Sequence, residues 1–168
     1  MISTKMQKVL NDQINEEMFS SYLYLSMTAH FEAKNLKGFG NWFRIQSQEE
    51  TTHAMKFYNF VLQKGGKVTL KQIAAPKTEW KTISEAFSDT LKHEQKITGL
   101  INKLVEVAMV EKDYATHTFL QWFVTEQVEE EANVEDLIQK LEMIGDNKSG
   151  LYMLDNELGQ RTFTAAVE

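Results

Sequence analysis

At 168 residues the chain is long enough for one well-buried domain and short for two. A single proline, Pro76, only eight glycines, and plentiful Leu, Glu, Lys, Gln, Met and Ala set an all-α expectation. A net charge of −6 argues against a nucleic-acid surface, zero cysteines exclude disulfides and thiolate chemistry, and no run is apolar enough to span a bilayer.

The opening stretch Met1-Ile2-Ser3-Thr4-Lys5-Met6-Gln7 lacks the apolar region of a secretory signal. A chain without cysteine suits a reducing compartment, so the expected location is the cytoplasm. The first helix is expected from about Thr4 to Ala33, with Ser3 as its N-cap. Leu10, Glu17, Tyr24 and Phe31 mark one heptad line along it. Asn35-Leu36-Lys37-Gly38 reads as a short turn. A second helix follows from about Gly38 to Lys64, stopped by Gly65-Gly66. Its lines are Phe43, Glu50, Phe57 and Gln46, His53, Phe60.

Between about Gly66 and Lys81 the amphipathic period is lost, and Pro76 sits there. Val68-Thr69-Leu70 reads as briefly extended. Roughly sixteen residues at ~3.3 Å each cover ~50 Å, whereas a helix of about 28 residues is ~42 Å long. The segment is therefore long enough to cross the full height of a bundle and link parallel helices. Thr82-Ile83-Ser84-Glu85 has the capping-box form. A third helix runs from it to about Glu111, along Phe87, Glu94, Ile101 and Ala108. Glu111-Lys112-Asp113 is a tight turn. The fourth helix spans about Tyr114 to Ile144 on the lines Leu120, Gln127, Val134, Leu141 and Phe123, Glu130, Leu137, Ile144. Gly145-Asp146-Asn147 ends it. A short fifth helix is expected from about Lys148 to Gln160, followed by a frayed end. Leu151, Leu154 and Leu158 either dock that helix or line an interface. The sum is a four-helix bundle with a long crossover between helices 2 and 3 and a short fifth helix, one domain over residues 1–168.

Each long helix carries a carboxylate on an inward line near its middle: Glu17, Glu50, Glu94 and Glu130. His53 lies one turn after Glu50, and Gln127 one turn before Glu130. Burying an ionised carboxylate without a partner is very costly, and pairing or metal coordination is the usual relief. None of the four lines carries Lys or Arg. Four carboxylates and two divalent cations balance in charge, and di-iron and di-manganese carboxylate bundles use this kind of ligand set. Here the set is lopsided, because Gln127-x-x-Glu130 stands where a symmetric site would repeat Glu-x-x-His. One position is expected at Glu17, Glu50 and His53. The other is expected at Glu94 and Glu130, with Glu50 as the bridge, and should bind more weakly. Gln127 is neutral and suited to hydrogen-bond a bound oxygen species or a ligand carboxylate. The donor chemistry alone does not separate Fe from Mn or Zn.

On these residues the chain resembles the bacterial non-haem ferritins along essentially its full length. The resemblance implies that Glu17, Glu50, His53, Glu94, Gln127 and Glu130 form a ferroxidase centre, with Tyr24 beside it. It implies a third iron position nearby at Glu49, Glu126 and Glu129, sharing Glu130. It further implies a homo-oligomeric shell of twenty-four subunits that oxidises Fe(II) with dioxygen or hydrogen peroxide and stores ferric mineral. Haem is not expected, because Thr51 follows Glu50 where haem-binding relatives place Met.

Blander meanings compete. A lone Glu-x-x-His is common by chance, and the acidic stretch Glu126 to Asp136 is by default solvated. Five matching positions on four helices favour the metal reading. His30 and His93 are expected at the surface or behind the ligands, His117 near a pore, and Trp42, Trp80 and Trp122 in packing. A non-catalytic bundle with polar core residues is the rival of a different class. No cysteine module or substrate cleft of an oxygenase is visible.

Overall fold

The computed structural model describes residues 2–164. Its five helices are α1 (Thr4–Ala33), α2 (Lys37–Gln63), α3 (Ile83–Val110), α4 (Tyr114–Ile144) and α5 (Lys148–Leu158). Among the described residues there is no strand, and Val68-Thr69-Leu70 pairs with nothing as a ladder. No helix is long and apolar enough to cross a membrane.

Helix ends follow local chemistry. Ser3 Oγ accepts from Met6 N at 3.0 Å and opens α1. Asn35, at φ 59°, makes the turn into α2, a conformation that asparagine tolerates better than most residues. Gly65, at φ 72°, closes α2. The Gly66 N–H then reaches back to Val61 O at 2.9 Å. Thr82 Oγ1 accepts from Glu85 N at 3.0 Å. The Glu85 carboxylate accepts from Lys81 N at 2.7 Å, one residue further out than the usual capping box. Asp113 and Asn147 cap α4 and α5 in the same manner.

The crossover climbs along α1. The side chain of Gln7 accepts from Lys67 N at 2.8 Å, and that of Asn11 accepts from Thr69 N at 2.7 Å. Further up, Ser26 donates to Lys77 O at 2.7 Å and Lys34 to Trp80 O at 3.1 Å. The chain thus returns from the foot of α1 to its head before α3 begins, which sets α2 and α3 parallel.

The core falls into two apolar clusters stacked end to end. One holds Tyr24, Met27 and Phe31 of α1 with Phe39, Phe43, Phe87 and Val134. The other holds Met6, Leu10 and Ile14 of α1 with Phe57, Ile97, Ile101, Leu120 and Phe123. All four long helices pass from one cluster to the other at the same level. Glu17, Glu50 with His53, Glu94, and Gln127 with Glu130 fill that level.

α5 ends at Leu158, short of the expected Gln160. Leu154 and Leu158 are buried in the first cluster and Leu151 packs against it, so these leucines dock the helix onto its own bundle. Asp155 Oδ1 accepts from the N–H groups of Gly38 at 2.9 Å and Phe39 at 3.0 Å, satisfying two orphan donors at the start of α2. Asn41 Nδ2 donates to Leu158 O at 3.1 Å and Arg161 O at 3.0 Å. The chain is therefore tied down through Arg161 where fraying was expected. The remainder of that expectation falls in part on residues 165–168, outside the described range.

Helix α5 approaches α2 so closely that a Cβ on Gly38 would lie 1.6 Å from the Asp155 carbonyl oxygen. Gly38→Ala should therefore push α5 off α2 and cost about 1–3 kcal/mol, the usual range for overpacking. Thermal melting and amide exchange of residues 148–158 report this, and a parent-like melting curve would contradict it.

Candidate metal centre

The polar layer is buried. Glu17, Glu50, His53, Glu94, Gln127 and Glu130 are each at most 4 % exposed. Their helices leave no alternative, because each occupies the inward face, with apolar residues one heptad away on both sides except at His53, which has Gln46 on one side and Phe60 on the other.

Glu17, Glu50 and His53 bring one ligand atom each within 4.8 Å of one another. This is the first of the two expected positions. His53 Nδ1 lies 3.4 Å from Glu50 Oε2, while Nε2 faces the other way, 3.7 Å from Glu126 Oε1. A second group, His53 with Glu126 and Glu130, meets the same 4.8 Å limit.

Glu17, Glu94 and Glu130 are each held by neutral donors. Gln13 Nε2 donates to Glu17 Oε1 at 2.7 Å, and Gln46 Nε2 to Glu130 Oε2 at 2.8 Å. The Tyr24 hydroxyl donates to Glu94 Oε1. Gln127 Nε2 donates to Glu94 Oε2 at 3.2 Å, with the Glu94 carbonyl and Thr98 Oγ1 as longer acceptors. Glu94 and Glu130 do not close with Glu50 into a three-ligand group among the described residues.

The third expected position is dispersed. Glu126 is half-buried beside His53 and Glu130, Glu129 is exposed, and Glu49 is paired with Arg161 at 2.7 Å.

Electrostatics show what the layer lacks. Burial, with the Glu50 charge added, pushes the Glu17 carboxyl well above its usual range. Burial raises Glu50 to about 7. Burial and the neighbouring Glu130 raise Glu94 to about 8. Burial raises Glu130 as well. Burial alone would lower His53, but its contacts with Glu126 and Glu50 hold it well above an ordinary imidazole. Burial and Glu94 keep the Tyr24 proton on its phenol. No Lys or Arg hydrogen-bonds to Glu17, Glu50, Glu94 or Glu130 among the described residues, and Glu17 Oε2 is buried with no donor. Hard oxygen donors, one imidazole and an uncompensated negative charge suit divalent metal ions.

Several residues escape the periodic pattern. Gln13, one turn before Glu17, and Gln46, on the line of His53, were legible as polar residues on an apolar stripe, but their partners were not. His93 is buried behind Tyr24, edge-on at 6.0 Å between ring centres, and hydrogen-bonded to Ser20 at 2.8 Å. Burial lowers it to about 4, so it is neutral. Trp122 meets the His53 ring edge-on at 5.4 Å. His30 packs against Trp80, and His117 lies beside Gln121.

Raised carboxyl pKa values carry a signed consequence. An unfolded chain releases the Glu50 and Glu94 protons near the ordinary value of 4.5, while the metal-free fold keeps them to about 7 and about 8. Their stabilisation is complete below 4.5 and is lost as pH rises through those folded values. The metal-free protein should therefore melt lower at pH 8 than at pH 5.5. Glu50→Gln with Glu94→Gln should flatten that slope. An unchanged slope in the double variant would contradict the assignment.

Comparison with known proteins identifies the family and the fold. The ferritin-like domain family matches residues 7–144. The chain is 42% identical to the bacterial non-heme ferritin of Staphylococcus aureus (strain MRSA252), over 97% of this chain and 98% of that one. It is 42% identical to that of Bacteroides fragilis (strain 638R), over 96% and 100%. Among solved structures, an open-pore ferritin from the hyperthermophilic archaeon Archaeoglobus fulgidus superposes with a TM-score of 0.95 at 51% identity, covering 96% of this chain and 100% of that one. A closed form of that ferritin, engineered by site-directed mutagenesis, gives 0.96 at 51% identity, covering 98% and 100%. With its bundle, its crossover and its buried carboxylate layer, the chain belongs to the ferritin family.

Proposed function

We propose that the polar layer is the ferroxidase centre of this iron-storage protein, where Fe(II) is oxidised before ferric mineral is stored inside a multimeric shell. The observation that carries the reading is the buried group Glu17, Glu50 and His53, whose negative charge meets no Lys or Arg among the described residues. The family match supports iron as the substrate.

Fe(II) is the cation that replaces the stored protons. Glu50 and Glu94, raised to about 7 and about 8, release theirs as it enters. One ion is held by Glu17, Glu50 and His53. The other is held by Glu94 and Glu130, with Glu50 shared, at the ~3.5–4 Å separation usual for two-metal sites. Each Fe(II) gives up one electron. Dioxygen takes two electrons and two protons to become hydrogen peroxide, and peroxide itself serves as an alternative acceptor. Carboxylates bind Fe(III) more strongly than Fe(II), which favours this direction. Tyr24 and Gln127 orient Glu94 from opposite sides. Gln127 leaves the second ion without a further charge, so that ion departs more easily toward the cavity. Two irons per subunit, a shell of twenty-four subunits and no haem complete the reading.

Glu50→Ala with His53→Ala should slow aerobic Fe(II) oxidation more than about tenfold, a lower bound set by what even outer-shell changes cost metal sites. Ferric absorbance and oxygen uptake measure it, and light scattering should show an unchanged shell mass. Oxidation at the parent rate would place the centre elsewhere. Gln127→Glu adds a carboxylate to the second position and should tighten the weaker of the two cations in calorimetric titration. An unchanged weaker affinity would remove the lopsided arrangement.

A further inference from the structure

One cation beside the polar layer has no part in the dinuclear reading. Arg161 follows α5, and its guanidinium donates to Glu49 Oε2 at 2.7 Å and to Trp42 O at 3.4 Å. Its Cζ lies 5.1 Å from the centre of the Trp42 ring. The arginine is not a loose surface charge. Asn41 holds its carbonyl at 3.0 Å, and Asp155 anchors the preceding helix on the start of α2. The pair is partly dry, with side-chain exposures of 26% for Arg161 and 23% for Glu49.

The position of Glu49 gives this pair its meaning. Glu49 adjoins Glu50 and lies within electrostatic reach of Glu130 and His53. Yet Glu49 is absent from the group in which His53, Glu126 and Glu130 converge. Its carboxylate is turned instead to the guanidinium, which stays charged at any working pH. A bidentate-capable fork stacked on an indole holds that geometry better than a lysine would.

We infer that Arg161 sets how many irons each subunit binds. It holds Glu49 as a fixed counter-ion, away from His53, Glu126 and Glu130, and sets a positive charge within electrostatic reach of Glu130, against a third cation there. The latched arginine therefore limits the subunit to the two irons of the dinuclear centre. The end of the chain beyond α5 thus acts on the metal layer through α2. Arg161 is a positioning residue, since it acts through Glu49. The inference rests on the reading of the polar layer as the ferroxidase centre.

The test is the count of Fe(II) bound per subunit in the assembled protein, measured anaerobically by calorimetry and by equilibrium dialysis. The parent should bind two. Arg161→Gln, which keeps a polar hydrogen-bonding end but removes the charge, should bind three. Arg161→Lys should stay at two, and Glu49→Gln with Arg161→Gln should return to two. Mere loosening of the chain end would not be reversed by changing Glu49. A count of two in Arg161→Gln, or of three in the parent, overturns the inference and leaves the dinuclear centre standing. If Glu50→Ala with His53→Ala retains the parent count, the centre itself is misassigned, whatever Arg161 does.

Discussion

Glu17, Glu50, Glu94 and Glu130 share one level of the bundle, and no lysine or arginine hydrogen-bonds to any of them among the described residues. An apolar interior does not tolerate four such charges unaided. The metal-free fold answers with protons and with neutral donors. Gln13, Gln46, Tyr24 and Gln127 each supply a hydrogen bond, and His53 carries a positive charge within the layer. On the proposed reading, two divalent irons would take the place of that arrangement. The same constraint therefore links the stability of the fold, its response to pH and its affinity for metal.

The two apolar clusters are the counterpart of this constraint. Stacked aromatic rings such as Phe31 on Phe43 at 5.4 Å and Phe57 on Phe123 at 4.0 Å lie to either side of the layer. Dense packing above and below fixes the ligand helices in register. The polar level is not what holds the bundle together, since the two apolar clusters do that. The crossover serves the same end. By running from Gln7 to Lys34 along α1, it sets α2 parallel to α3 and brings all four midpoints to one height.

Periodicity made most of this legible. A heptad line that reads Leu10, Glu17, Tyr24, Phe31 already places a carboxylate in a core, and the other three long helices repeat the message. The caps at Ser3 and Thr82 and the stop at Gly65 lie in local sequence, which is why the long-helix limits fall within a residue of expectation. Contacts that depend on tertiary approach were not legible. Gln46 is polar on an inward stripe, but nothing in its own helix says that it serves Glu130 of α4 rather than Glu50. The Glu49 and Arg161 pair joins positions 112 residues apart. No local rule relates them, and so the ion pair was not foreseen and the chain beyond α5 read as frayed. His93 shows the same limit, since only the packing of α1 against α3 buries it behind Tyr24.

The central claim is that the carboxylate layer is a two-iron site with Glu50 shared and His53 as its only nitrogen ligand. A crystal of the assembled protein soaked in Fe(II) without oxygen tests it most directly. The account predicts two irons per subunit in the layer, ~3.5–4 Å apart, with Glu17, Glu50 and His53 on one and Glu50, Glu94 and Glu130 on the other. Iron density confined to surface carboxylates, with Gln13, Gln46 and Tyr24 still bonded to a metal-free layer, would contradict it.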